Sequence, residues 1–116
     1  MNQEKQDELY ILWTNGDPIT AREMVLLYAM NAMKRGWWKK VTVIIWGAPA
    51  RLIAEDPGIQ EEIKTSRLTG VQYSACKKCS DDLGVTEILT SLGIEARYWG
   101  EPLTGLLKSG ARLLTV

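Results

Sequence analysis

A chain of 116 residues with 14 Lys and Arg against 14 Asp and Glu, formal net charge zero, has room for one domain with a real core and none for a second lobe. Its charges are scattered, which excludes the electrostatic footprint of a nucleic-acid binder. The lack of any histidine removes the commonest general base, every Ser-His or Cys-His arrangement and the commonest metal ligand, so chemistry must rest on cysteine, carboxylate, lysine, tyrosine or backbone dipoles.

About 1–8 reads as a polar N-terminal tail without an apolar signal core. No apolar run approaches the roughly 20 residues that cross a bilayer, so a soluble, cytoplasmic protein without a membrane partner is expected. Leu9 to Thr14 is the first strand. Asn15-Gly16-Asp17-Pro18 follows as a tight turn with a capping aspartate. It lacks the glycine spacing of a dinucleotide or P-loop motif.

Pro18 opens a helix over about 18–35 that Gly36 ends. Met24 to Met33 leave it little polar surface, which predicts burial on more than one side. In so small a domain the second cover is expected to be another subunit. Trp37-Trp38 points the same way, with packing over the sheet edge as the alternative.

Val41 to Trp46 is the second strand. It and the first are apolar almost throughout, as in strands covered on both faces. Helices over about 49–55 and 57–69 come next, the latter sharpened by Asp56-Pro57. Val71 to Ala75 is the third strand, followed by a turn at about 76–83 and a helix at 86–92. In the fourth strand, Ile94 to Trp99, the residues Ile94, Ala96 and Tyr98 alternate with Glu95 and Arg97, which places it near an edge. A helix at 102–109 and a strand from Arg112 to Val116 complete the chain. Strands alternating with helices make parallel βαβ units.

In such sheets, reactive groups collect beyond the carboxyl ends of the strands. Four segments emerge there: Asn15-Gly16-Asp17, Trp46-Gly47-Ala48-Pro49, Cys76-Lys77-Lys78-Cys79 and Trp99-Gly100-Glu101. Cys76 and Cys79 are the only two cysteines. They close a strand and open a helix, where backbone N-H groups favour a thiolate and the two lysines add to that field or lie solvated on the surface.

The pair has several readings. Both thiols can be packing groups. A zinc or iron-sulfur site would leave half the coordination sphere empty without histidine, so neither metal nor other cofactor is expected. Positions three apart on a first turn bring the Cβ atoms within about 5–6 Å, which suits a dithiol redox module. The remaining reading is a nucleophilic thiol that carries sulfur as a persulfide.

The run Gly70-Val71-Gln72-Tyr73-Ser74-Ala75-Cys76, with Gly84 eight residues beyond the cysteine, resembles the hallmark segment of the DsrE-like sulfur-relay family. The opening strand with its long apolar helix is similar too, as is the tail from Leu92-Gly93-Ile94-Glu95 through Gly100-Glu101-Pro102-Leu103-Thr104 to Val116. The resemblance spans nearly the whole chain. It implies one DsrE-like domain over 1–116, an α/β/α sandwich on a five-stranded, mainly parallel sheet. It also implies a homo-oligomer, trimer or hexamer, and sulfur donor and acceptor proteins as partners. Cys76 takes the position of the cysteine that accepts and passes on sulfane sulfur, giving a sulfurtransferase-like activity. Cys79 departs from the single-cysteine relay proteins, because a neighbouring thiol can attack a Cys76 persulfide and release sulfide. A thiol-disulfide module and an oligomeric scaffold without chemistry remain the alternatives.

Overall fold

Two aspartate-proline pairs set helix starts by the same device. Asp17 Oδ2 accepts the Thr20 backbone N-H at 2.8 Å, and Asp56 Oδ1 accepts that of Ile59 at 3.1 Å. Each cap satisfies a donor the helix leaves unpaired, while the following proline has none to lose. The computed structural model describes residues 7–116. Most of the expected tail thus lies outside the described residues, but Glu8 does not belong to it: this residue opens the first strand.

The chain runs β1 (Glu8–Trp13), α1 (18–34), β2 (Lys40–Ile45), α2 (Ala48–Glu55), α3 (Pro57–Leu68), β3 (Gln72–Cys76), α4 (Lys77–Leu83), α5 (Thr86–Ser91), β4 (Glu95–Arg97), α6 (Gly100–Lys108) and β5 (Arg112–Thr115). All four strand pairings are parallel, in the order β4-β3-β2-β1-β5. Among the described residues no helix is long and apolar enough to cross a membrane.

The first three crossovers step the same way, from β1 to β4, so right-handed connections put their helices on one face. Leu9, Ile11, Trp13, Val41, Val43, Ile45, Tyr73 and Ala75 point to that face and form one core with Ala21, Val25, Ile53, Ile59, Ile63 and Leu89. The return from β4 to β5 reverses direction across the whole sheet. The same handedness assigns α6 to the opposite face, which makes three layers.

That second layer is thin. No residue of α6 is buried, and Thr42, Gln72, Ser74, Glu95 and Arg97 line an open polar groove on the sheet. Of the two strands expected to be covered on both faces, only β2 is: Val41 to Ile45 are all buried. In β1, Tyr10 and Leu12 are only half-buried, because their face has this sparse cover.

Strand β4 lies at the edge, as its alternation predicts, but holds three residues only. Tyr98 is exposed, and Trp99 turns inward so that its Nε1 donates to the buried Ser74 hydroxyl at 2.8 Å.

Helix α1 is also interrupted. Residues Pro18–Thr20 and Leu27–Lys34 are α-helical, whereas Ala21–Leu26 take the wider π winding. Nothing in the sequence explains that switch. Ala21, Val25, Leu26, Ala29 and Ala32 face the core, and Leu27 is 44% exposed. Burial all round is therefore not achieved within one chain. Trp38 packs intramolecularly and donates through Nε1 to Tyr28 Oη at 3.1 Å, while Trp37 stays 51% exposed.

Candidate functional site

Cys76 is both the last residue of β3 and the residue before the first turn of α4, with extended backbone at φ −64° and ψ 115°. Its side chain does not cap the helix. One turn on, the Cys79 thiol donates to Cys76 Sγ across 3.2 Å. Both are free thiols.

The two differ in access. Cys76 is 5% exposed and Cys79 is half-buried, so the thiol inside the helix is the one nearer to solvent. Cys76 is buried although its neighbours at 77, 78, 81 and 82 are charged, because those side chains pair with one another on the outer face of α4.

Cys79 is held above the ordinary thiol range. Burial is the largest cause, followed by its hydrogen bond to Cys76 and the proximity of that second sulfur; the Gly47 backbone N-H pulls the other way. Burial and the neighbouring sulfur both favour the protonated form of Cys79, whose thiol donates to Cys76 Sγ.

Neither lysine stands as a free positive charge. Lys77 Nζ pairs with Asp81 at 2.7 Å and Lys78 Nζ with Asp82 at 2.5 Å, both one turn apart on the exposed face of α4. Each lysine is raised in pKa first by the hydrogen bond to its aspartate, and Asp81 is lowered first by Lys77. Lys77 also lies 5.7 Å from the Tyr98 ring centre. The positive field at the thiols is weaker than two bare lysines would supply, and these residues are a surface ion-pair ladder.

A cavity of about 600 Å³ opens beside Cys79. It is walled by Gly16 from the loop after β1, by Gly47, Ala48, Arg51, Leu52 and Glu55 from the loop and helix after β2, and by Asp82 and Leu83 of α4. Two glycines shape it. Gly47 sits at φ 83°, where only glycine is unstrained. At Gly16 an added Cβ would stand 3.0 Å from that of Ala48, so a side chain there would push two walls apart.

Three of the four rim segments thus meet at one place. The fourth does not: Trp99 lines the polar groove on the other face of the sheet. Asn15 and Asp17 keep a structural role, Asn15 Oδ1 accepting the Asp17 N-H at 2.7 Å. Sequence reasoning did not single out Arg51 and Glu55. Their only mark was spacing, four apart on the helix that follows a rim loop. Among the described residues no cluster of three or more His, Cys, Asp or Glu offers a metal site.

No protein-family model and no curated protein matches this sequence. Two solved structures resemble it. A conserved protein of unknown function from Bacteroides thetaiotaomicron, BT1422, aligns over the whole of both chains with 40% identity and a TM-score of 0.96. The ychN protein from E. coli aligns over 95% of this chain and 99% of its own with a TM-score of 0.68. Its identity of 18% is a likeness of fold alone.

Proposed function

The chain belongs to one family with the conserved Bacteroides thetaiotaomicron protein, and we propose that it is a DsrE-like sulfur carrier that holds sulfane sulfur as a persulfide on Cys76. The observation that carries this reading is the thiol pair, 3.2 Å apart at the carboxyl edge of the sheet, beside a cavity. The hallmark-like run from Gly70 to Cys76 and the fold shared with ychN support it.

The chemistry is thiol exchange. The Cys76 sulfur attacks the outer sulfur of a donor persulfide, the donor's S-S bond breaks, and the donor leaves as a thiol that takes up the proton Cys76 gives up. Burial of Cys76 shields the resulting persulfide from solvent thiols. Cys79 sets its lifetime, because attack on the inner sulfur would expel sulfide and leave a Cys76–Cys79 disulfide. In this reading the protein works in the cytoplasm as a homo-oligomer, between sulfur donor and acceptor proteins.

A second reading is favoured by the same 3.2 Å separation. An S-S bond needs about 2.05 Å, so a small side-chain movement closes a disulfide and a thiol-disulfide redox module results. Intact mass after treatment with a persulfide donor separates the two. Followed in time, a carrier gains one sulfur atom before any disulfide forms, whereas a redox module loses two hydrogens with no sulfur-bearing species on the way.

A further inference from the structure

We propose that the cavity beside Cys79 receives a low-molecular-weight amino-acid persulfide and that Cys79 is the thiol that takes its sulfane sulfur first. The proposal rests on the persulfide-carrier reading and names the donor class that reading leaves open.

Size and access come first. Small-molecule sites fall at about 300–1,000 Å³, and the cavity's roughly 600 Å³ lies within that range. Cys79 lines it, and Cys76 does not. A donor seated there meets Cys79 first.

Charge then selects the donor. Arg51 and Glu55 lie one turn apart on α2, both exposed and both on the cavity wall. Among the described residues neither has an ion-pair partner. Asp82, the third charged group on the wall, is engaged by Lys78. An unpaired guanidinium suits a carboxylate, which its planar fork can grip with two hydrogen bonds. The unpaired carboxylate of Glu55 suits an ammonium. A zwitterionic amino acid meets both, and Gly47, Ala48, Leu52 and Leu83 give the apolar walls against which a short sulfur-bearing stem packs.

The transfer balances without an added oxidant. The Cys79 thiolate attacks the outer sulfur of R-S-SH, and the S-S bond breaks with its electron pair going to R-S⁻. That anion takes up the proton Cys79 has lost, so R-SH leaves and Cys79-S-SH remains. Once the two side chains turn apart from their 3.2 Å contact, Cys76 attacks the outer sulfur in line with the Cys79 S-S bond. That bond breaks with its electron pair going to Cys79, and Cys79 takes up the proton Cys76 gives up, leaving Cys76-S-SH. The accessible cysteine receives and the buried one stores.

The test compares sulfur uptake by intact mass from two donors, cysteine persulfide and inorganic polysulfide, in the wild type and in Arg51→Ala. The polysulfide has neither carboxylate nor ammonium. The ratio of the uptake rate from cysteine persulfide to that from polysulfide should fall about tenfold in the variant, as expected when a hydrogen-bonded charge contact is lost. Glu55→Gln should lower the same ratio by less. An unchanged ratio in Arg51→Ala, with sulfur uptake intact, would overturn this proposal and leave the carrier reading standing. No sulfur uptake by the wild type from either donor would overturn both.

Discussion

The Cys79 thiol donates to Cys76 Sγ at 3.2 Å, from a half-buried position to a buried one. This pair is asymmetric in both access and hydrogen-bond direction. The asymmetry arises where a strand end and a helix turn meet: Cys76 closes β3 and is buried, and Cys79 sits one turn along α4, half-buried on the cavity wall.

Cys79 should alkylate with a pH midpoint above that of an ordinary thiol, because burial and its hydrogen bond to Cys76 both favour the protonated form. In Cys76→Ala the second and third causes vanish while burial remains. The midpoint of Cys79 should then move down without reaching that of a free thiol. Iodoacetamide rates across pH 7 to about 11, which brackets ordinary thiol values near 8.5, give the two midpoints, and an identical pair would show that Cys76 has no influence on Cys79.

Tyr73 ties the other end of β3 to α3. Its hydroxyl meets that of Ser66 at 2.6 Å, and burial pushes its pKa up to about 12 from 10.0. The unfolded chain loses this proton first as pH rises, so folding stability is fully present below pH 10 and falls through the interval up to about pH 12. The loss should approach roughly 2–3 kcal/mol. Denaturant titrations of wild type and Tyr73→Phe should show that the alkaline fall is smaller in the variant.

Asp56 caps α3 and also receives Arg22 Nη2 at 3.0 Å. Its carboxyl is held below the usual range first by the Ile59 backbone N-H. That contribution is present above the unfolded carboxyl's pKa of 3.8 and is lost as pH falls through the lower folded value. Asp56→Asn keeps a capping oxygen and should lower Tm less than Asp56→Ala does at pH 7. Below pH 3 the difference between wild type and Asp56→Asn should shrink. Thermal melts at both pH values check this.

Much of the fold was legible because its punctuation is chemical. Asp17-Pro18 and Asp56-Pro57 announce caps, the alternation of Glu95 and Arg97 with Ala96 announces an edge, and Gly84 at φ 71° ends α4 as a glycine should. What stayed hidden depends on three-dimensional neighbours. The half-burial of Tyr10 and Leu12 reflects how thinly α6 covers their face, and the polar groove reflects a crossover that spans the entire sheet. At the site, the residue types at 76 and 79 were readable, and so was their place on the rim. Which thiol faces solvent was not, because that depends on what the fold packs around each one. The lysine-aspartate pairs lay in view at four-residue spacing, and their neutralising effect follows from that spacing.

Leu27 of α1 and Trp37 beyond its end remain exposed, which suits the proposed assembly of copies of this chain. Leu27→Glu should leave the monomer folded, since the position is 44% exposed, and should shift the oligomer toward smaller species. Light scattering at micromolar concentration, with circular dichroism as the folding control, would show this. A wild type that is monomeric there contradicts the assembly.

The carrier reading is tested most directly by intact mass after exposure to a persulfide donor, on wild type, Cys76→Ser and Cys79→Ser. The wild type should gain one sulfur atom per chain, and Cys79→Ser should keep a Cys76 adduct longer once loaded, because the thiol that can expel sulfide is gone. In Cys76→Ser any sulfur should be short-lived and confined to Cys79. A wild type that passes directly to the loss of two hydrogens, reversibly with thiol reductants, with no sulfur adduct at any time on it or on either single variant, would contradict persulfide carriage and leave the redox module in its place.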